Sequence, residues 1–173
     1  MISQIPTHIF RFIILVLFQV LILNHIQLGG YINPLIYIYW VLLLPIEIPA
    51  YLLLILSFGM GITMDVFTGQ MGLNTAAIVF MAFMRPTILR SVTSKRDYEP
   101  GVNPRINDLG MQWFLTYVIL MTIIHHFALF FMESLSFHEF WQTILRILLS
   151  TFFTVLVIVF TELTFSKNKK KKS

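Results

Sequence analysis

Long apolar stretches, separated by short polar or proline- and glycine-rich breaks, run along most of the chain. A helix that crosses about 30 Å of hydrocarbon needs roughly 20 apolar residues. The first, fifth and sixth stretches are clear candidates, whereas the second to fourth are shorter and are interrupted by proline and glycine. The pattern predicts an all-α integral membrane protein with six transmembrane helices, over residues 9–28, 32–46, 48–64, 73–84, 112–132 and 143–165.

The breaks within the first half of the chain predict how the spans are connected. The sequence PIEIP at residues 45–49 predicts a tight turn between antiparallel spans, because proline interrupts helices. Short spans are also compatible with a re-entrant hairpin. The spans leave almost no residues outside the membrane for a second domain, so we expect residues 1–173 to form a single polytopic membrane domain.

Composition supports a membrane protein over a soluble one. Hydrophobic residues make up 57% of the chain and charged residues only 12%, about half the share in soluble domains. The sequence contains no cysteine, which excludes disulfides and thiol chemistry. The N-terminal residues lack the basic region and the cleavage site of a signal peptide.

The distribution of positive charge predicts the orientation. With six spans and a cytoplasmic N-terminus, eleven of the twelve lysines and arginines fall on the cytoplasmic side, and Arg146 is the exception. Cytoplasmic loops of membrane proteins are enriched in these residues. We therefore expect both termini to be cytoplasmic.

Two polar segments lie on the predicted cytoplasmic side. The connection 85–110 is either a partly ordered linker near the lipid head groups or a docking surface for a cytosolic partner. The basic tail 166–173 follows an apolar helix, a position that favours an anchor to anionic lipids over nucleic-acid binding. The anchoring side chains would be Lys167, Lys169, Lys170, Lys171 and Lys172.

Motifs for metal or nucleophilic catalysis are incomplete. His138 and Glu139 begin HEFWQ, but Gln142 stands where a zinc protease would have its second histidine. His125 and His126 are adjacent on a helix and point about 100° apart, which favours polar packing over chelation of one ion. We expect no catalytic residues, no bound metal and no cofactor.

Asp65 is the only aspartate in or beside a predicted span. Aspartyl catalysis needs two carboxylates, and the glutamates near span ends, Glu47 and Glu162, are predicted at the opposite side of the membrane. A charged residue within a span also raises the possibility of transport. Proton and ion relays usually contain several buried acids or histidines, so transport is the weaker interpretation.

The stretch GMGITMDVFTGQMG at residues 59–72 predicts a structural joint or partner-facing site. Small residues allow helix backbones to approach closely, and a polar group then pairs across the contact. Asp65 has two candidate roles: bonding the free amides of the next helix, or pairing with Arg146. The residues of the predicted site are Gly59, Gly61, Asp65, Gly69, Gly72, Asn74 and Arg146.

The spacing G-x-x-x-D-x-x-x-G-x-x-G-x-N, which begins at Gly61 and ends at Asn74, resembles the MreD family of rod shape-determining membrane proteins. An apolar span that ends in Met84-Arg85-Pro86 and the histidine pair within residues 117–133 are similar to that family as well. The connection 85–110 is longer than the family's pattern requires.

The resemblance implies a non-enzymatic protein of the bacterial inner membrane that acts as a scaffold for cell elongation and peptidoglycan synthesis. Its partners would be MreC, with MreB, RodA and a class B penicillin-binding protein, and self-association is possible. The implied fold resembles the substrate-binding membrane component of energy-coupling-factor transporters. A vitamin-binding subunit of such a transporter is the alternative, but the first span contains none of the alanines or glycines that such subunits use for docking.

Overall fold

The computed structural model describes residues 5–25, 32–93, 98, 101–134 and 140–170. These residues form helices and no strand, as the sequence predicts. A short 3-10 turn, Leu23–His25, follows the first helix. The helices are α1 (Ile5–Leu21), α2 (Ile38–Leu42), α3 (Ala50–Thr68), α4 (Leu73–Val92), α5 (Ile106–Leu109), α6 (Met111–Ser134) and α7 (Phe140–Lys170).

Five segments among the described residues are long and apolar enough to cross a membrane. Large hydrophobic side chains on these helices point outwards, including Phe10, Phe58 and Phe152, as expected of surfaces that contact lipid. The length and the apolar composition of these helices are those of a membrane protein. The five segments are Pro6–His25, Ala50–Thr68, Leu73–Val92, Met111–Ser134 and Phe140–Phe165.

The second predicted span, 32–46, is not a transmembrane helix. Only Ile38–Leu42 is helical, and the residues on both sides are extended or in turns. Pro34 and Pro45 flank the helix, and each lacks the N–H that a longer helix would use. The segment is also the most buried stretch among the described residues, with Tyr37, Ile38, Val41 and Leu42 fully enclosed. We call residues 32–46 the central segment.

Side chains of the surrounding helices satisfy the backbone of the central segment. Gln19 of α1 donates to the carbonyl of Pro34 at 3.1 Å and accepts from the N–H of Ile36 at 2.7 Å. Thr154 of α7 accepts from the N–H of Leu35 at 3.0 Å. Non-helical backbone is tolerated at membrane depth only where protein covers it and supplies such partners.

Arg85 performs the same function at the other end of the central segment. It is 1% exposed, and its guanidinium donates to the carbonyls of Leu44 and Pro45 and to the hydroxyl of Tyr117. The prediction that a cytoplasmic connection begins at residue 85 is thus wrong in its first part. Helix α4 continues through Pro86 to Val92, because the chain around Arg85 is packed against α6 and the central segment.

The contacts show the direction of each element. Trp40 donates to the carbonyl of His8 at 2.8 Å, and Tyr39 bonds Glu162, so the first turns of α1 and the late part of α7 lie at one end of the bundle. Helices α3 and α4 form one antiparallel hairpin, and α6 and α7 form another. We call the end that holds His8, Arg105 and Glu162 the basic end, since Arg11 and Arg85 lie there too.

Candidate functional site

Asp65 lies near the end of α3, and its carboxylate bonds the first turn of α4. One oxygen accepts from the backbone N–H and the side-chain amide of Asn74, each at 3.0 Å. The other accepts from the backbone N–H of Thr75 at 3.0 Å and from its hydroxyl at 2.5 Å. The first N–H groups of a helix have no partner within it, so Asp65 caps α4. The positive end of the α4 helix dipole also stabilises the negative charge of the carboxylate.

Two glycines form the turn between Asp65 and α4. Gly69 has φ of 67° and Gly72 has φ of 81°, in the left-handed region that other residues rarely adopt. The N–H groups of Gly69 and Gln70 both bond the backbone carbonyl of Asp65, which ends α3. The predicted turn is present, and it brings the first amides of α4 back to the Asp65 carboxylate.

Gly61 allows α3 and α4 to approach each other closely. A Cβ atom placed on Gly61 would overlap the Cα of Thr75 and lie 2.9 Å from Cγ2 of Ile78. A Cβ atom on Gly59 would meet nothing within 4 Å. Of the two glycines predicted for a helix contact, only Gly61 forms the contact within the chain.

Asn74 links Asp65 to the centre of the bundle. Its side-chain oxygen accepts from the Tyr37 hydroxyl at 3.0 Å, and the same hydroxyl lies 2.9 Å from Nε2 of His125. Because the hydroxyl has one hydrogen, it donates to Asn74 and accepts from Nε2–H of His125. Three helices and the central segment thus meet in one set of bonds, which we call the Asp65 network: Tyr37, Asp65, Asn74, Thr75 and His125.

The second histidine of the pair lies outside the Asp65 network and has other partners. His126 bonds the carbonyl of Thr122 through Nδ1 at 2.9 Å, and its Nε2 lies 3.4 Å from the Thr154 hydroxyl. Both histidines are fully buried. Among the described residues, no group of three or more His, Asp or Glu side chains is arranged to hold a metal ion.

Arg146 pairs with Glu133 and not with Asp65. The two side chains approach to 2.9 Å, and the Arg146 guanidinium lies 4.3 Å from the centre of the Phe130 ring. The Asp65 network meets α6 at His125, eight residues before Glu133, which corresponds to roughly 12 Å along a helix. The predicted alternative of an Asp65–Arg146 pair is therefore wrong, because the Asp65 carboxylate bonds α4 and because α3 packs against α4 and α1 and not closely against α7.

The predicted lysine anchor falls mostly outside the described residues. The backbone of α7 continues to Lys170, which includes Lys167 and Lys169, but the structure describes nothing of their side chains. Lys171 and Lys172 lie outside the described residues altogether. Lipid anchoring by the tail stays a prediction.

Two open grooves run along the lipid-facing surface. One, of about 670 Å³, lies between α3 and α4 beside the Asp65 network, and Phe58, Ile62 and Val66 form part of its wall. The other, of about 570 Å³, lies between α6 and α7 and is lined mainly by leucine, valine, isoleucine and phenylalanine. Both have the apolar walls that suit a helix or an acyl chain.

The arrangement around Asp65 is suited to holding helices together and not to catalysis. All four of its hydrogen bonds come from α4, which leaves the carboxylate without a free position for a proton or substrate. Sequence reasoning missed Tyr37 and His125 as partners. No periodic signal marks Tyr37 within its apolar run, and the histidine pair indicated only polar packing.

The fold and the site define a class, an α-helical membrane protein whose helices are joined by buried polar contacts. No protein-family model, curated protein or solved structure matches the chain.

Proposed function

We propose that this protein is a non-enzymatic scaffold of the bacterial inner membrane that serves cell elongation and peptidoglycan synthesis. One observation carries the proposal: the residues that resemble the MreD family, from Gly61 to Asn74, are also the residues that join α3 to α4. A fixed joint of this kind suits a protein that presents rigid surfaces to partners. Both termini would be cytoplasmic, as the distribution of positive charge favours.

Docking would use the groove between α3 and α4. The exposed side chains of Phe58, Ile62 and Val66 give it an apolar wall, and the Asp65 network fixes its floor. Association of helices in lipid depends on van der Waals fit and a few polar contacts. The transmembrane helix of MreC would lie in this groove, with RodA, a class B penicillin-binding protein and MreB as further members of the assembly.

A vitamin-binding transporter subunit is the alternative function. Such a subunit needs an enclosed pocket with converging polar groups. In this protein the polar groups converge on Tyr37 and His125, which are fully buried in packed surroundings. The two grooves described above are open and apolar, and this difference supports the scaffold.

Affinity purification of the tagged protein from native membranes tests the proposal. We expect MreC and the elongation enzymes to be recovered with it. Recovery of ATPases together with a bound vitamin would contradict the scaffold and support transport.

Two matched variants test the groove. Ala76 is exposed in the groove wall, whereas Ala50 is exposed at the start of α3, at the other end of that helix. We expect Ala76→Trp to reduce the recovery of MreC and Ala50→Trp to leave it unchanged. Equal recovery from both variants would place MreC elsewhere.

A further inference from the structure

A second buried polar cluster lies at the basic end, away from the Asp65 network. Glu162 of α7 is fully buried, and one of its carboxylate oxygens accepts from the Tyr39 hydroxyl. The same oxygen lies 3.4 Å from a terminal nitrogen of Arg105, whose side chain is 13% exposed. Arg11 and His8 of α1 complete this group, which we call the basic-end cluster: His8, Arg11, Tyr39, Arg105 and Glu162.

The basic-end cluster has more positive than negative charge. Arg11 interacts electrostatically with Arg105 as well as with Glu162, and His8 interacts with both arginines. With His8 neutral, two guanidinium groups face one carboxylate. Like charges held together in a partly buried site repel each other, so the cluster favours a further anion.

Three buried atoms of the cluster also lack hydrogen-bond partners among the described residues. They are Nε of Arg105, Nδ1 of His8 and the second carboxylate oxygen of Glu162. A buried polar atom without a partner destabilises the fold. An anionic oxygen beside Arg105 would compensate for part of this deficit.

The position of the cluster indicates a lipid as the source of that ligand. It lies where the apolar part of α7 comes to its end and α1 begins, which is the level of lipid head groups. The exposed side chains of Ile9, Phe10 and Ile13 offer an apolar face to the acyl chains.

We propose that the basic-end cluster binds the phosphate of an anionic phospholipid such as phosphatidylglycerol. Arg11 and Arg105 donate to the phosphate oxygens, since guanidinium groups form strong charge-assisted bonds with phosphate. The proposal uses no residue of the lysine tail and does not depend on the scaffold function.

Native mass spectrometry of the purified full-length protein in detergent tests the site, with each lipid added in turn. We expect the anionic lipids phosphatidylglycerol and phosphatidic acid to bind more tightly than phosphatidylcholine, whose head group has no net charge. Arg11→Gln and Arg105→Gln should each weaken phosphatidylglycerol binding about tenfold, the effect of losing one charge-assisted bond. Arg90→Gln is the matched control, because Arg90 is exposed on the last turns of α4 and belongs to no part of the cluster.

Three outcomes would overturn the proposal. Equal affinity of the wild-type protein and both cluster variants would show that the arginines do not bind the lipid. An equal loss of lipid affinity in Arg90→Gln would show that general surface charge, and not the cluster, attracts the lipid. Full competition by inorganic phosphate would show an anion site without lipid selectivity. If Arg105→Gln does not fold, as judged by its melting in the absence of lipid, Arg11→Gln decides the test alone.

Discussion

At the scale of single residues, Asp65 shows how one carboxylate is stabilised in an apolar protein. It is 7% exposed, and four donors from two successive residues of α4 surround it. A buried charge without such partners would be neutralised or would destabilise the fold. The carboxylate therefore joins two helices because its own charge requires the amides that α4 offers.

Replacing Asp65 with asparagine should destabilise the protein. The amide would turn an N–H group towards the N–H groups of Asn74 and Thr75, so at least one donor would lose its acceptor. We expect a loss of about 1–3 kcal/mol, seen as a lower melting temperature in detergent. Glu47→Gln, at an exposed carboxylate, is the control and should melt like the wild type. An unchanged melting temperature for Asp65→Asn would refute the capping role.

The two glycines of α3 provide a matched pair of substitutions. Gly61→Ala should cost about 1–3 kcal/mol, because the new methyl group meets the backbone of Thr75, which cannot move aside cheaply. Gly59→Ala has free space and should raise stability by about 0.5–1 kcal/mol, as alanine favours a helix. Thermal melting of both variants decides the matter, and a tolerated Gly61→Ala would contradict the close contact.

At the scale of elements, the central segment is the least regular and most buried part of the bundle. Several of its backbone groups bond side chains of α1, α4, α6 and α7. These bonds explain why polar residues such as Gln19 and Thr154 stand fully buried in helices that are otherwise apolar. The helices around the segment act as its hydrogen-bond partners as well as its cover.

Removing one of these partners should loosen the central segment selectively. Gln19→Leu keeps the size of the side chain but leaves the N–H of Ile36 and the carbonyl of Pro34 unpaired. We expect amide hydrogen exchange to speed up in residues 32–44 and to stay unchanged in α6. Gln112→Leu, at an exposed position, is the control. Equal protection of the segment in both variants would show that Gln19 does not hold it.

The hairpin of α3 and α4 could be predicted from the sequence, but the form of the central segment could not. The glycines, Asp65 and Asn74 carry local information, because caps and turns depend on residues close in the chain. An apolar run such as 32–46 has the same composition whether it is a lipid-facing helix or a buried irregular segment. Its true form depends on partners far along the chain, as with Thr154 and Arg85. The error about Arg146 has the same origin, because the order of the residues does not tell which helices pack side by side, and α3 does not pack closely against α7.

At the scale of the whole molecule, the chain alternates in direction so that the start of α1 and the late part of α7 meet at the basic end. The described arginines at that end include Arg11, Arg85 and Arg105, while Arg146 lies towards the other. This asymmetry favours a cytoplasmic basic end. The absence of cysteine from the sequence makes the orientation directly measurable.

Single cysteines should report the orientation in intact cells. Met71 is fully exposed in the turn between α3 and α4, whereas Thr7 and Ser91 are exposed near the basic end. We expect a membrane-impermeant maleimide that reaches the periplasm to label Met71→Cys in intact cells, and Thr7→Cys and Ser91→Cys only after lysis. The reverse pattern would invert the topology.

The most direct test of the scaffold function is cell width after depletion of the protein in a rod-shaped host that encodes it. We expect depleted cells to widen and become round, and we expect the wild-type protein and Gly59→Ala to restore rods while Gly61→Ala restores them poorly. Depleted cells that keep their normal width and shape would contradict a function in cell elongation.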